Sequence, residues 1–294
     1  MSENLRLPID VGSMSPSAWH YTDALGLVGI LNTQELWASS PNSVNDATEM
    51  KFAQAEFRRM WLDVKSDEND YTEFVDSVLN SQRFEEELYS IFFVSASTES
   101  DLLNQWMHYA NSDGFAIELD TKVRLQPSAL PPLIEDLKSS TGLIVPDWYD
   151  VEYSEKVLIQ KFLEHLHAFN GMHKSEDLKQ VTDLVELAAF ILMSLFVKTK
   201  HPGFRAENEI RFVTSINNPD LVMYRELNGR VRPYLPLRAV IGTKENPTFS
   251  TLPIKNIMCS PGMSERSRAD VTKVLAKFGY SEVGVLESEI PYIP

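Results

Sequence analysis

The hydrophobic pattern changes from helical to period two at His201-Pro202-Gly203, and this change constrains the fold more than any other feature of the chain. Upstream, residues from about 125 to 200 read as mostly helical. Downstream, Glu207, Glu209 and Arg211 alternate with Asn208, Ile210 and Phe212, which predicts a strand with both carboxylates and the guanidinium on one face. Leu227-Asn228-Gly229-Arg230 has the form of a two-residue hairpin turn between strands. Short strands at 239–242 and 254–259, a helix over 265–278 and a last strand at 283–286 complete this half.

Strands recur at the other end of the chain. One ends at Trp19-His20-Tyr21, and Thr22 or Asp23 then caps a helix with an apolar stripe of Leu25, Val28 and Leu31. Residues 36–40 form a second strand stopped by Pro41. Asp46, with Glu49 three residues on, has the form of a capping box that opens a helix to about Leu62 and sets Asn45 and Asp46 at its N-terminus. Strands over 90–97 and 114–120 flank a helix over 100–110 that carries Trp106, His108 and Tyr109. The pattern predicts an α/β (α+β) chain, one elaborated domain over 1–294, with a helical insertion at 125–200 between two sheet-forming halves.

Charge narrows the function. The 294 residues include 42 acidic and 27 basic ones, a net charge of -15, so broad nonspecific coating of nucleic acid or of an anionic membrane is disfavoured. The acidity is uneven. Residues 63–87 hold nine acidic and two basic side chains, net -7, and read as a solvated helical face. Residues 198–232 hold seven basic and four acidic ones, net +3, so a phosphate-bearing ligand is still admitted there. The single Cys259 excludes an internal disulfide framework and a cysteine-rich zinc site. With residues 1–16 too polar for a secretory signal, the expected location is the cytoplasm. The apolar run 184–197 contains Glu186 and falls short of the roughly 20 residues that span a bilayer, so it reads as a buried core helix rather than a membrane contact.

No Walker loop, GxGxxG, HExxH or GxSxG is present. His165 and His167 lie two apart on an expected helix and face different directions, so no metal is predicted. The residues that stand out are His20, Tyr21, Thr22, Ser39, Ser40, Asn45, Asp46, Trp106, Tyr109, Arg205, Glu207, Glu209 and Arg211. Bland readings compete with each. Tyr21 and Trp106 suit a core, Asn45-Asp46 suits a cap, and Glu207, Glu209 and Arg211 suit an ion-pair ladder on a strand.

Several runs resemble the bacterial family catalogued as domain of unknown function 2971. They are Trp19-His20-Tyr21-Thr22, Glu35-Leu36-Trp37-Ala38-Ser39-Ser40-Pro41, Asn45-Asp46, Gln105-Trp106-Met107-His108-Tyr109-Ala110 and Glu207-Asn208-Glu209-Ile210-Arg211-Phe212. Ser260-Pro261-Gly262-Met263 and residues 288–292 extend the likeness across nearly the whole chain. More remotely, the opening His-x-Thr before a helix ending in Ile-Leu, followed by a short strand, looks like the start of ADP-ribosyltransferase folds. That resemblance implies a split mixed sheet holding NAD as substrate. His20, Ser39 or Ser40, and Glu207 with Glu209 would then occupy the positions of functional residues.

Under this reading Glu209 or Glu207 stabilises positive charge developing at the ribose as the nicotinamide bond breaks. His20 bonds ribose hydroxyls, Tyr21 or Trp106 stacks on a base, and Arg205, Lys198 or Lys200 holds the pyrophosphate. Arg211 either anchors phosphate or neutralises Glu209 from the same strand. The expected activity is ADP-ribosyl transfer to a protein or nucleic-acid acceptor, as in an intracellular toxin or phage-defence effector. Two alternatives stand beside it. One is a non-catalytic nucleotide- or protein-binding module; the other is a metal-dependent nuclease using Asp46, Glu49, Glu207 and Glu209.

Overall fold

The computed structural model describes residues 13, 15–41, 47–65, 70–80, 90–109, 113–133, 146–154, 156–157, 160–161, 163–164, 188–189, 192–216, 218–227 and 229–291. Among these residues twelve strands form one sheet. They are β1 (Ser17–Asp23), β2 (Leu36–Ser39), β3 (Ile91–Ser97), β4 (Gly114–Asp120), β5 (Arg124–Pro127) and β6 (Asp147–Asp150). The second half adds β7 (Glu209–Ser215), β8 (Met223–Leu227), β9 (Arg230–Gly242), β10 (Pro247–Ser250), β11 (Ile254–Cys259) and β12 (Gly284–Glu287). β11 and β12 run parallel, while the other paired strands are antiparallel, so the sheet is mixed.

Alternation along the strands sends apolar side chains to both faces. On one face Ala18, Ile117, Phe212, Leu235 and Leu237 pack with Leu27 and Leu31 of α1 (Ala24–Thr33) and Val271 and Leu275 of α5 (Glu265–Lys277). On the other, Phe93 and Val213 meet Phe57 and Trp61 of α2 (Ala47–Val64) and Val75 and Val78 of α3 (Asp70–Leu79). Leu192 and Phe196, in the helical stretch 192–197, join them. A third cluster sets Trp19 and Tyr21 of β1 against Trp106 of α4 (Leu103–Tyr109), Ala116 and Met258.

Asp23 caps α1, its carboxylate accepting from the Gly26 N–H at 2.8 Å, and Gln34 closes the helix in the left-handed conformation at φ 57°. The buried stripe of α1 differs from the predicted one. Leu27 and Leu31, four apart, face the core, whereas Leu25 and Val28 are 82% and 44% exposed. The cap fixes the phase of the helix, and an i, i+4 pair fits its 3.6-residue period better than the assumed spacing of three. α2 starts at Ala47, where a capping box would open it, but Asn45 and Asp46 lie outside the described residues.

The middle segment is not wholly helical. β5 pairs with β9, and β6 pairs with β7 by setting Tyr149 opposite Arg211. Trp148 enters one core and Tyr149 the other, so this four-residue strand is buried on both faces and shows no alternation. Within the run 184–197, the described residues 188–189 and 192–197 are helical and almost entirely buried. No described helix is long and apolar enough to cross a membrane. His165 and His167 lie outside the described residues.

Candidate functional site at the split in the sheet

The pairing of β3 opens the sheet. β7 covers one edge of β3 from Ile91 to Ser97. Phe93 also pairs with Ser39 of β2, and Ser97 also pairs with Trp19 of β1. A residue in a sheet has only two edges, so β1 and β2 must both leave the remaining edge of β3, four residues apart. The backbone between them, Val94 to Ala96, faces an opening.

His20 stands in that opening, its Nδ1 2.9 Å from the backbone oxygen of Ser95. Burial holds the imidazole below its ordinary pKa; the Ser95 carbonyl partly offsets this, and the charge of Arg225 lowers it further. The ring is therefore neutral at physiological pH. Since a carbonyl oxygen can only accept, Nδ1 carries the proton and Nε2 keeps its lone pair. No described protein group bonds Nε2.

The carboxylates lie on the far side of β3. Arg211 donates to Glu209 from Nε to Oε1 at 2.7 Å and from Nη2 to Oε2 at 3.1 Å. Lys200 Nζ reaches Glu209 Oε2 at 3.0 Å and Glu207 Oε2 at 2.7 Å. Ser95 adds a side-chain hydrogen bond to Glu209. Arg211 also donates to Val197 O at 2.6 Å and lies 4.7 Å from the Phe93 ring centre. Burial alone would raise the Glu209 pKa, but the charges of Arg211 and Lys200 outweigh it and hold the carboxyl at about 2. Ser95 thus receives His20 on its backbone and supports Glu209 with its hydroxyl.

Glu207 corrects the strand reading. It ends a 3-10 turn (Pro202–Glu207), and Asn208, left-handed at φ 44°, separates it from β7. An αL residue resets the side-chain alternation, so Glu207 and Glu209 converge through Lys200 rather than through strand period. The two carboxylates differ in one respect. Both oxygens of Glu209 are bonded, whereas Glu207 Oε1 has no partner among the described residues.

The second limb carries Ser39, whose hydroxyl lies 3.2 Å from Arg225 Nη2. Arg225 stacks near Trp37 and Tyr234, at 5.3 and 5.6 Å, and those rings are themselves 4.5 Å apart. Ser40 is buried and its hydroxyl has no partner among the described residues.

Tyr21, Trp106 and Thr22 make contacts within the scaffold. Tyr21 and Trp106 meet edge to face at 4.7 Å in the third cluster. The Tyr21 hydroxyl donates to Glu99 O and accepts from Leu102 N, and Trp106 Nε1 donates to Asp101. Their polar ends are therefore committed to holding α4 on β1. Thr22 packs in the first turn of α1, where a Cβ on Gly26 would come within 1.9 Å of its hydroxyl. Tyr109 on α4 and Arg205 on the 3-10 turn are exposed. Asn45 and Asp46 lie outside the described residues, as does the Glu49 side chain, so of the nuclease ligand set only Glu207 and Glu209 have described side chains.

Lys200, expected at a pyrophosphate, holds the two glutamates, and Ser95, Trp37, Arg225 and Tyr234 join the site beyond the residues expected there. The hairpin turn at 228–229 was the available signal for the last of these. Once Leu227 pairs with Arg230, the ladder fixes Arg225 opposite Arg232 and Met223 opposite Tyr234.

Residues 105–212 match the model of a family described as a protein of unknown function (DUF2971). The match takes in Trp106, Lys200, Glu207, Glu209 and Arg211 but not His20, Ser39 or Arg225, so it is narrower than the likeness read from scattered motifs. No curated protein and no solved structure matches the chain.

Proposed function

We propose that this protein is an ADP-ribosyltransferase-like enzyme that cleaves the nicotinamide-ribose bond of NAD and passes ADP-ribose to an intracellular macromolecule. The observation that carries the reading is the departure of β1 and β2 from one edge of β3, with neutral His20 in the opening. Bond cleavage sends the electron pair out with nicotinamide and leaves positive charge on the ribose. His20 Nε2 accepts from a ribose hydroxyl and orients the sugar. Glu207 supplies the carboxylate. Lys200 holds its Oε2, so Oε1 meets the developing charge and takes the proton of the acceptor atom as that atom bonds the ribose carbon. Glu209 and Arg211 act as positioning residues that fix Lys200.

One observation favours a second reading, a nucleotide-binding module without turnover. The buried carboxylate Glu209 is fully spent on Arg211 and Lys200. Nicotinamide release from NAD, measured beside calorimetric NAD binding, separates the two. The enzyme reading expects release by the wild type and a loss of about 100-fold or more in His20→Ala and Glu207→Gln. Binding without release selects the module, and neither binding nor release by the folded protein sinks both.

A further inference from the structure

We infer that Arg225 and Arg232 form a clamp for the diphosphate of a nucleotide. The clamp deepens the preceding proposal, and it rests on that reading only for a nucleotide as the carrier.

The β8–β9 hairpin holds an electrostatic conflict. Arg225 of β8 and Arg232 of β9 are directly opposed in the ladder, and their side chains share one face. Like charges at such positions, with β-carbons roughly 5 Å apart, destabilise a strand pair. The same face continues with Arg230, Tyr234, Trp37 and Ser39 and presents no carboxylate among the described residues. Glu226, the nearest acid in the hairpin, alternates to the other face and accepts from the Gly229 N–H. Neither Arg225 nor Arg232 makes an ion pair among the described residues, and the Nε of each is buried without a hydrogen-bond partner.

Two opposed guanidiniums with buried donors and no acid among the described residues to neutralise them form a fork that one anion with several oxygens would satisfy. The surroundings favour a diphosphate carried by a nucleotide. Trp37 and Tyr234 flank Arg225 and give aromatic surface beside the charge. Arg225 also bonds Ser39 on the limb of the split, and its charge reaches His20. The clamp therefore borders the opening. It takes the place expected for Lys200, which is engaged by Glu207 and Glu209.

Calorimetric titration of the full chain with inorganic pyrophosphate, ADP and adenosine tests the clamp. Wild type is expected to bind pyrophosphate and ADP with an affinity that falls as salt rises, and ADP more tightly than adenosine. Arg232→Gln and Arg225→Gln should each weaken both diphosphate ligands about tenfold or more. Adenosine binding should be unchanged in Arg232→Gln. Arg225→Lys, which keeps the charge but loses the fork, should also bind pyrophosphate more weakly. Thermal unfolding without ligand controls for folding, and Arg232→Gln is expected to be no less stable than wild type because it removes the like-charge opposition. Equal pyrophosphate affinity in wild type and Arg232→Gln, or no binding of either diphosphate by wild type, overturns the clamp. A failure to release nicotinamide does not touch this test, because neither diphosphate ligand contains nicotinamide.

Discussion

Arg211 is almost fully buried, and its charge is matched chiefly by Glu209, so the pair concentrates much of the electrostatic risk of the fold in one place. Arg211→Met keeps the volume but leaves Glu209 with Lys200 alone as a cation. Removing one member of a buried pair costs roughly 3–5 kcal/mol, and urea denaturation should report a loss of that size. The acid limb of the stability profile gives a second prediction. Glu209 is held at about 2 against an ordinary 4.5, so it binds its proton less readily folded than unfolded. Its contribution is present above about pH 4.5 and is lost as pH falls towards 2. Wild type should destabilise more steeply through that window than Glu209→Gln, and parallel profiles would remove Glu209 as the source. The pairing of Glu209 with Arg211 was legible in the sequence, because i and i+2 share a face of a strand. Its pairing with Lys200 was not, since Lys200 lies outside the strand and nothing in local period announces that contact.

At the scale of elements, the turn from β1 into α1 shows why residue type and helix propensity diverge. Alanine is favoured over glycine in a helix by about 1 kcal/mol, yet a Cβ at Gly26 would lie 1.9 Å from Thr22 Oγ1 and 3.2 Å from Thr22 Cβ. Gly26→Ala is therefore expected to destabilise the protein, and adding Thr22→Ala should recover part of the loss in a double-mutant cycle. A stabilising Gly26→Ala would show that the helix start shifts freely. Elements with a strong period or a sharp stop were readable in advance. β4 and β11 fall at 114–120 and 254–259 as expected, and the 227–230 turn joins β8 to β9. β5 and β6 were not readable, for a physical reason. Four residues are too few to establish a period, and β6 is buried on both sides.

Across the whole molecule, the two halves of the chain meet at β3, which carries β7 on one edge and both β1 and β2 on the other. The expectation of a sheet built from both ends followed from where strand period appears in the sequence. The split did not, because it depends on β1 and β2 sharing one edge, and pairing across 50 or more residues leaves no local trace. A truncation tests how far the fold depends on this junction. Deleting residues 1–45 removes β1, α1 and β2 together. β4 then loses its seven-residue pairing with β1, β9 loses β2, and β3 is left with β7 alone. Leu27 and Leu31 also leave the core beneath Ile117 and Leu237. Edges of this length, exposed beside an uncovered apolar face, favour association over folding. The shortened chain is expected to aggregate or to lose cooperative unfolding in circular dichroism. A monomeric product with a wild-type transition would mean that the C-terminal strands form a core without the N-terminal limbs, and that the split is an addition to the fold instead of its junction.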